Sequence, residues 1–320
     1  MWIYSVNNIA ILNQDRFYNY GTIDIENSGE SSGFLIVNSD QFRNYSSGII
    51  NLNSDIYGGI SNASTSSNFK NYGNIDINEV SIGINNEGSL INYDGAFIDA
   101  QNNSSASYSN QVGGTITNHG YLFSLHSDAG IYNYGTLTNN KSFTVFYSDA
   151  YGSLRNFSTG VINNYDQIYL HGTSLIDLEN DGSITNHYGG YFAINKTIDQ
   201  SLGADFTNYG FFVSFGSNGH NISGVFENNG VIDDDYGQLQ GMISNNRVLV
   251  APVAGPMQVG VPYPNVLDIA SLTDVNIGDW KISMNGTKAG TYDEVTNEFT
   301  PNASAVGLTT IYIYINTRFG

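Results

Sequence analysis

The 320-residue chain carries 29 acidic against 10 basic side chains, a formal net charge of -19, although only 12% of its residues are charged. That acidic balance opposes nucleic acid and anionic membrane partners, and no run of 18 apolar residues is present to cross a bilayer. The absence of cysteine removes disulfide frameworks, thiolate zinc sites and cysteine nucleophiles.

What remains is an alphabet of strands and turns. With 36 Gly, 43 Asn, 23 Tyr and 17 Phe, strands and tight turns are favoured over helix, and coiled coils and helical repeats are excluded. A hydrophobic fraction of 40% is too rich for a disordered acidic tail and supplies a core. The opening MWIYSVNNIAIL lacks the basic segment, apolar run and cleavage site of a signal peptide. The chain is therefore expected to be either a processed form or a segment of a longer polypeptide.

From Phe17 onward one unit recurs: apolar, any residue, Asn, any residue, Gly, any residue, apolar. It reads FYNYGTI, FKNYGNI, INNEGSL, ITNHGYL, IYNYGTL, LENDGSI, FTNYGFF and FENNGVI, with looser copies FRNYSSGII, LRNFSTGVI and ITNHYGGYF. The asparagines keep the register. Asn19, Asn44 and Asn71 are 25 and 27 residues apart, Asn110, Asn133, Asn156 and Asn180 are 23, 23 and 24 apart, and Asn208 and Asn228 are 20 apart. A loosely kept period of this size is that of one solenoid coil. After each Gly the sequence alternates, as in Thr22-Ile23-Asp24-Ile25 and Asn74-Ile75-Asp76-Ile77, which predicts a strand with one buried face. A coil then holds two or three strands of roughly 4–6 residues, and about ten coils build a rod roughly 50 Å long over residues 1–250.

The nine asparagines just named are expected to form a structural ladder of amides at the solenoid corners. The Gly two places on is expected to supply a positive φ there. Tyr20, Tyr45, Tyr72, Tyr93, Tyr134, Tyr165 and Tyr209 each follow an Asn, predicting a ring column that either caps the core or offers sugars a stacking strip. His119 and His187 occupy the same slot. The polar stretches 61–68, 102–109 and 214–223 read as insertions, which in repeat proteins gather on one face and bind.

The sequence offers no catalytic, cofactor or metal residue. The ten basic residues are scattered singly, against a lyase site. The one dense acidic run, Asp233-Asp234-Asp235, reads as a solvated turn, with weak calcium binding as its alternative. His126, His171 and His220 show no paired metal-ligand spacing.

All five prolines lie after residue 250, marking a second domain at 251–320. Strands are predicted around 266–269, 280–284, 298–300 and 309–315, with turns at Asn285-Gly286 and Ala289-Gly290, forming a small β-sandwich. The run Thr309, Thr310, Ile311, Tyr312, Ile313, Tyr314 and Ile315 is hazardous as a bare edge, so it is the candidate assembly strand.

The copies NYGTI and NNEGSL resemble the Asn-x-Gly-x-Ile repeats of filamentous-haemagglutinin-type adhesins, which implies a parallel β-helix. The tail's GDWKI and AGTYDEVTNEFTPNASAVGLTTIYIYI are similar to the immunoglobulin-like repeats of Bacteroidota surface adhesins, although Arg318-Phe319 stand near the place of one of their cysteines. These likenesses imply export and a cell-surface location.

The sequence therefore predicts an all-β, non-enzymatic extracellular stalk or filament subunit, self-associating through solenoid ends or its last strand, with a carbohydrate or host-surface ligand. A carbohydrate-active β-helix enzyme or tailspike-like depolymerase is the alternative, and a calcium-dependent sugar-binding module is the third reading.

Overall fold

The computed structural model describes residues 1–4, 9–27, 33–54, 58–148, 152–173, 175–216, 219–234 and 239, together with five short strands of the tail. Every regular element among them is a strand. The chain winds as a parallel β-solenoid whose strands fall into three sheets of 11, 10 and 10 strands. Sheet one begins with Trp2–Tyr4, sheet two with Ile11–Asn13 and sheet three with Arg16–Asn19. Each coil visits sheet two, then three, then one, as in Ile82–Asn86, Ser89–Asn92 and Phe97–Gln101.

Alternation fixes which side chains point inward. On sheet one, Ile75 and Ile77, Leu122 and Ser124, and Phe143 and Val145 are buried between exposed or half-buried neighbours. On sheet three one inward slot holds Phe42, Phe69, Leu90, Ile116, Leu137 and Ile162 in successive coils. The rings of Phe17, Phe42 and Phe69 stack at 4.8 and 4.6 Å. Burying each such side chain contributes roughly 1.5–3 kcal/mol. Because every strand pairs in register with its equivalent one coil away, a side chain's neighbours are the residues of the same slot above and below.

The corner glycines serve a purpose other than positive φ. A Cβ on Gly73 would meet the carbonyl oxygens of Gly48 at 2.2 Å and Tyr45 at 2.4 Å, and one on Gly135 would meet Gly114 O at 2.2 Å. The backbone of the preceding coil comes too close for any side chain. Positive φ falls instead on a glycine in third place of some four-residue corners, as at Gly95 (φ 77°) and Gly113 (φ 82°).

In the tail, Tyr263–Pro264, Glu298–Pro301 and Gly290–Asp293 form an antiparallel three-stranded sheet, and Lys281–Met284 pairs antiparallel with Ile313–Asn316. Gly290, expected in a turn, opens a strand and pairs with Pro301. Of the candidate assembly strand, Ile313, Tyr314 and Ile315 pair with Met284, Ser283 and Ile282. Thr309 to Tyr312 lie outside the described residues, as do 266–269 and Asn285-Gly286.

Candidate functional site

The asparagines expected in one ladder form two. At the corner between sheets two and three, Asn110, Asn133, Asn156 and Asn180 are buried and linked, each Nδ2 donating to the next Oδ1 at 2.9, 2.8 and 2.9 Å. Asn19, Asn44 and Asn71 stack at the corner between sheets three and one, at 2.8 and 2.8 Å, as do Asn208 and Asn228 at 2.7 Å. Each coil thus carries the unit at two corners. Asn13, Asn38, Asn62 and Asn86 extend the first column, and Asn92, Asn118, Asn139, Asn164 and Asn186 complete the second. The signal for this lay in pairs such as Asn86 and Asn92, six positions apart within INNEGSLIN.

Many of the amides also close their own corners, and loops of two lengths share one ladder in this way. In a two-residue corner Asn71 Nδ2 donates to Gly73 O at 2.9 Å, and in a four-residue corner Asn44 Nδ2 donates to Gly48 O at 3.2 Å. The first column passes to Gln200, opposite Asn180. Its Nε2 donates to Ala204 O and Val225 O at 3.0 and 2.8 Å, while its buried Oε1 has no hydrogen-bond partner.

The rings likewise divide between corners. Tyr20, Tyr45, Tyr72 and Tyr93 stack at 4.2, 6.1 and 4.0 Å with interplanar angles of 10–16°. Tyr165 continues this corner with His187 at 4.0 Å, and Tyr209 packs on Tyr188 at 5.3 Å. Tyr134 stands at the other corner, stacked on Phe157 at 3.9 Å. Burial and a hydrogen bond with Tyr93 push the Tyr72 hydroxyl up to about 12. Stacked face to face, these rings offer solvent their edges, so the column closes the corner rather than presenting ring faces.

The third corner, between sheets one and two, has no ladder of one residue type, and its coils are joined by different side chains. Ser107 Oγ joins Ser124 Oγ at 2.6 Å and Ser127 Oγ at 2.8 Å. Farther along, the carboxylate of buried Asp177 accepts from the Gly172, Asn195 and Lys196 amides, each at 2.7 Å, and from Ser153 Oγ at 3.0 Å. Burial raises its pKa, and these bonds oppose the rise. His220 is also buried, its Nδ1 accepting from Ile198 N at 3.1 Å while Nε2 lies 3.2 Å from Ser214 Oγ. The three polar stretches do not gather on one face. Residues 61–68 span the corner between sheets two and three, residues 102–105, 215–216 and 219–220 sit at the third corner, and Ala106–Asn110 is a strand.

The outer face of sheet one brings together what the sequence left apart. Asp76 and Asp99 are register partners on adjacent strands. Burial, opposed by a 2.5 Å hydrogen bond from Gln101 Nε2 and aided by the Asp76 charge, lifts the Asp99 carboxyl to about 6. Asp76 is raised by burial as well. In the same column follow Phe123, Thr144 and Tyr169. The signal was the shared third place of TIDI, NIDI and FIDA after the corner.

Of the dense acidic run, Asp233 and Asp234 belong to the strand Val231–Asp234, and Asp235 lies outside the described residues. Among the described residues no group of three or more His, Asp or Glu is placed to hold a metal ion. No family model matches the chain, nor does any curated protein or solved structure.

Proposed function

We propose that this chain is a non-enzymatic structural and adhesive protein of the cell surface, a stiff β-solenoid stalk of the filamentous-haemagglutinin type. The tail acts in this reading as an immunoglobulin-like module whose last strand, around Thr309–Ile315, reaches a neighbouring subunit. The observation that carries the proposal is the pair of buried amide ladders. Each runs coil to coil through fully hydrogen-bonded asparagines, so bending the rod at a corner means stretching buried hydrogen bonds on two edges at once. Stiffness along the axis is what a stalk or spacer needs. Electron micrographs and light scattering of the purified chain test it: straight rods about 50 Å long that join at raised concentration are expected. A compact monomer at every concentration overturns it.

A second reading, a glycan-cleaving β-helix enzyme, is favoured by one observation. Asp76 and Asp99 share the outer face of sheet one a single strand apart, and one of them is held near pH 6, as paired-carboxylate chemistry requires. Depolymerase assays on a polysaccharide panel, with Asp99→Asn as control, separate the two readings.

A further inference from the structure

Three neighbouring strands of sheet one, Tyr121–Leu125, Ser142–Phe146 and Gln167–His171, carry rings in an arrangement unlike the corners. Phe146 lies 5.6 Å from Phe123 and 5.5 Å from Tyr169, at interplanar angles of 58° to both. These rings are half-buried and tilted, so none is sandwiched face to face by another as the corner rings are. Thr144 stands between Phe123 and Tyr169, and the next column adds a hydroxyl and an amide, Ser142, 3.3 Å from Thr144, and Gln167. Phe123 and Tyr169 occupy one register column two strands apart, about 10 Å along the solenoid axis.

A wall flanks this floor. His126 and Tyr147 directly follow their strands with φ of 51° and 55°, a conformation side chains of this size rarely adopt. They are held there by the coil-to-coil bonds His126 N to Phe146 O (3.1 Å) and Tyr147 N to His171 O (2.7 Å). Their rings stack at 5.1 Å, and Tyr147 lies 6.2 Å from Phe146. Glu79 (φ 59°) and Asn102 (φ 53°) take the same conformation on the two preceding coils, so it is a repeated device of this corner, and on these two coils it sets an aromatic ring beside the floor.

We propose that this face binds a neutral polysaccharide in extended form, its chain lying along the solenoid axis. The inference rests on the adhesive part of the reading above and supplies its ligand class. Sugar rings bring apolar C–H faces that stack on aromatic rings, and hydroxyls that pair with Ser, Thr and Gln. A spacing of about 10 Å is close to one extended disaccharide, so alternate sugars meet Phe123 and Tyr169 while Phe146 supports the one between. Charge selects among glycans. The three strands carry no Asp, Glu, Lys or Arg, the next strand presents Asp99, and the whole chain stands at -19, so a polyanion is repelled.

The test uses the full chain with cellohexaose and chitohexaose as neutral probes and polygalacturonate as the anionic one, followed by calorimetry. Binding of a neutral probe is expected. Tyr169→Ala should weaken it about tenfold or more, the loss of about one ring contact. Phe146→Ala should do likewise, whereas Tyr20→Ala on the stacked corner should leave it unchanged. Equal affinity in Tyr169→Ala, preference for polygalacturonate, or no binding of either neutral probe overturns the proposal. Self-association that Tyr169→Ala abolishes, without saccharide binding, overturns it too and assigns the face to contact between copies. Micrographs of Tyr169→Ala keep the two readings apart, since the rod remains when only the ligand assignment fails.

Discussion

Two kinds of corner hold this solenoid, and they solve the same problem in opposite ways. Where sheet two meets sheet three, and sheet three meets sheet one, a single residue type at a fixed place satisfies the turn, the coil below and the coil above. Asn156, for example, receives from Asn133 and donates to Gly160 O of its own turn and to Asn180 in the next coil. Where sheet one returns to sheet two, no residue repeats in this way. Serines carry one coil, Asp177 another and His220 a third. Repetition makes the first kind redundant, because losing one rung leaves the others. Improvisation makes the second kind brittle.

The largest expected effect therefore belongs at the third corner. Asp177→Ala leaves the buried Gly172 amide and the half-buried Asn195 and Lys196 amides unanswered, at about 4 kcal/mol in sum. Urea unfolding should show the midpoint falling, and an unchanged midpoint would mean water replaces the carboxylate. Asp177→Asn restores an acceptor but sets an N–H donor among donors, so it should fall between wild type and Ala.

A matched pair of glycine changes tests the regular corners. Gly73→Ala drives a methyl into two carbonyl oxygens of the preceding coil and should cost about 3 kcal/mol. Gly21→Ala meets nothing within 4 Å, so it should be neutral or raise stability by about 0.5 kcal/mol through the unfolded state. Equal melting temperatures for the two variants would break the close-approach account. Asn133→Ala comes next, at about 2 kcal/mol, since it strands an amide on Asn110 and a carbonyl on Asn156. A ladder that mattered only collectively would show no loss in thermal melts of this single variant.

The difference between corners also decides what was legible in the sequence. Regular corners advertise themselves, because the same Asn and Gly must recur wherever coils stack. Coil size, strand alternation and asparagine columns all follow from that recurrence. Two corners bearing one motif nevertheless read as one, which merged Asn19 and Asn110 into a single ladder and placed Tyr134 with Tyr20. The third corner sends no such signal. Asp177 in LIDLEN looks like any surface acid until register sets it in the slot that Gly83, Ser107 and Gly130 fill in other coils. The outer face of sheet one was hidden for a related reason: Asp99, Phe123 and Tyr169 share neither type nor motif, only a place in the pleat.

The smallest effect is on that outer face, where solvent competes, and pH exposes it. Asp99 has its carboxyl raised from 3.8 to about 6 in the folded chain, so between those values the folded state keeps a proton the unfolded state has lost. Stability consequently falls as pH rises through this window and is level above it. Asp99→Asn removes the penalty and still accepts from Gln101. After allowance for solvent screening the gain should stay below about 1 kcal/mol, present at pH 7 and absent at pH 4. Melting curves of both proteins at the two pH values check this. A variant advantage of the same size at pH 4 and pH 7 would show that Asp99 is ionised in both, and that the face of sheet one is as open to water as the loops around it.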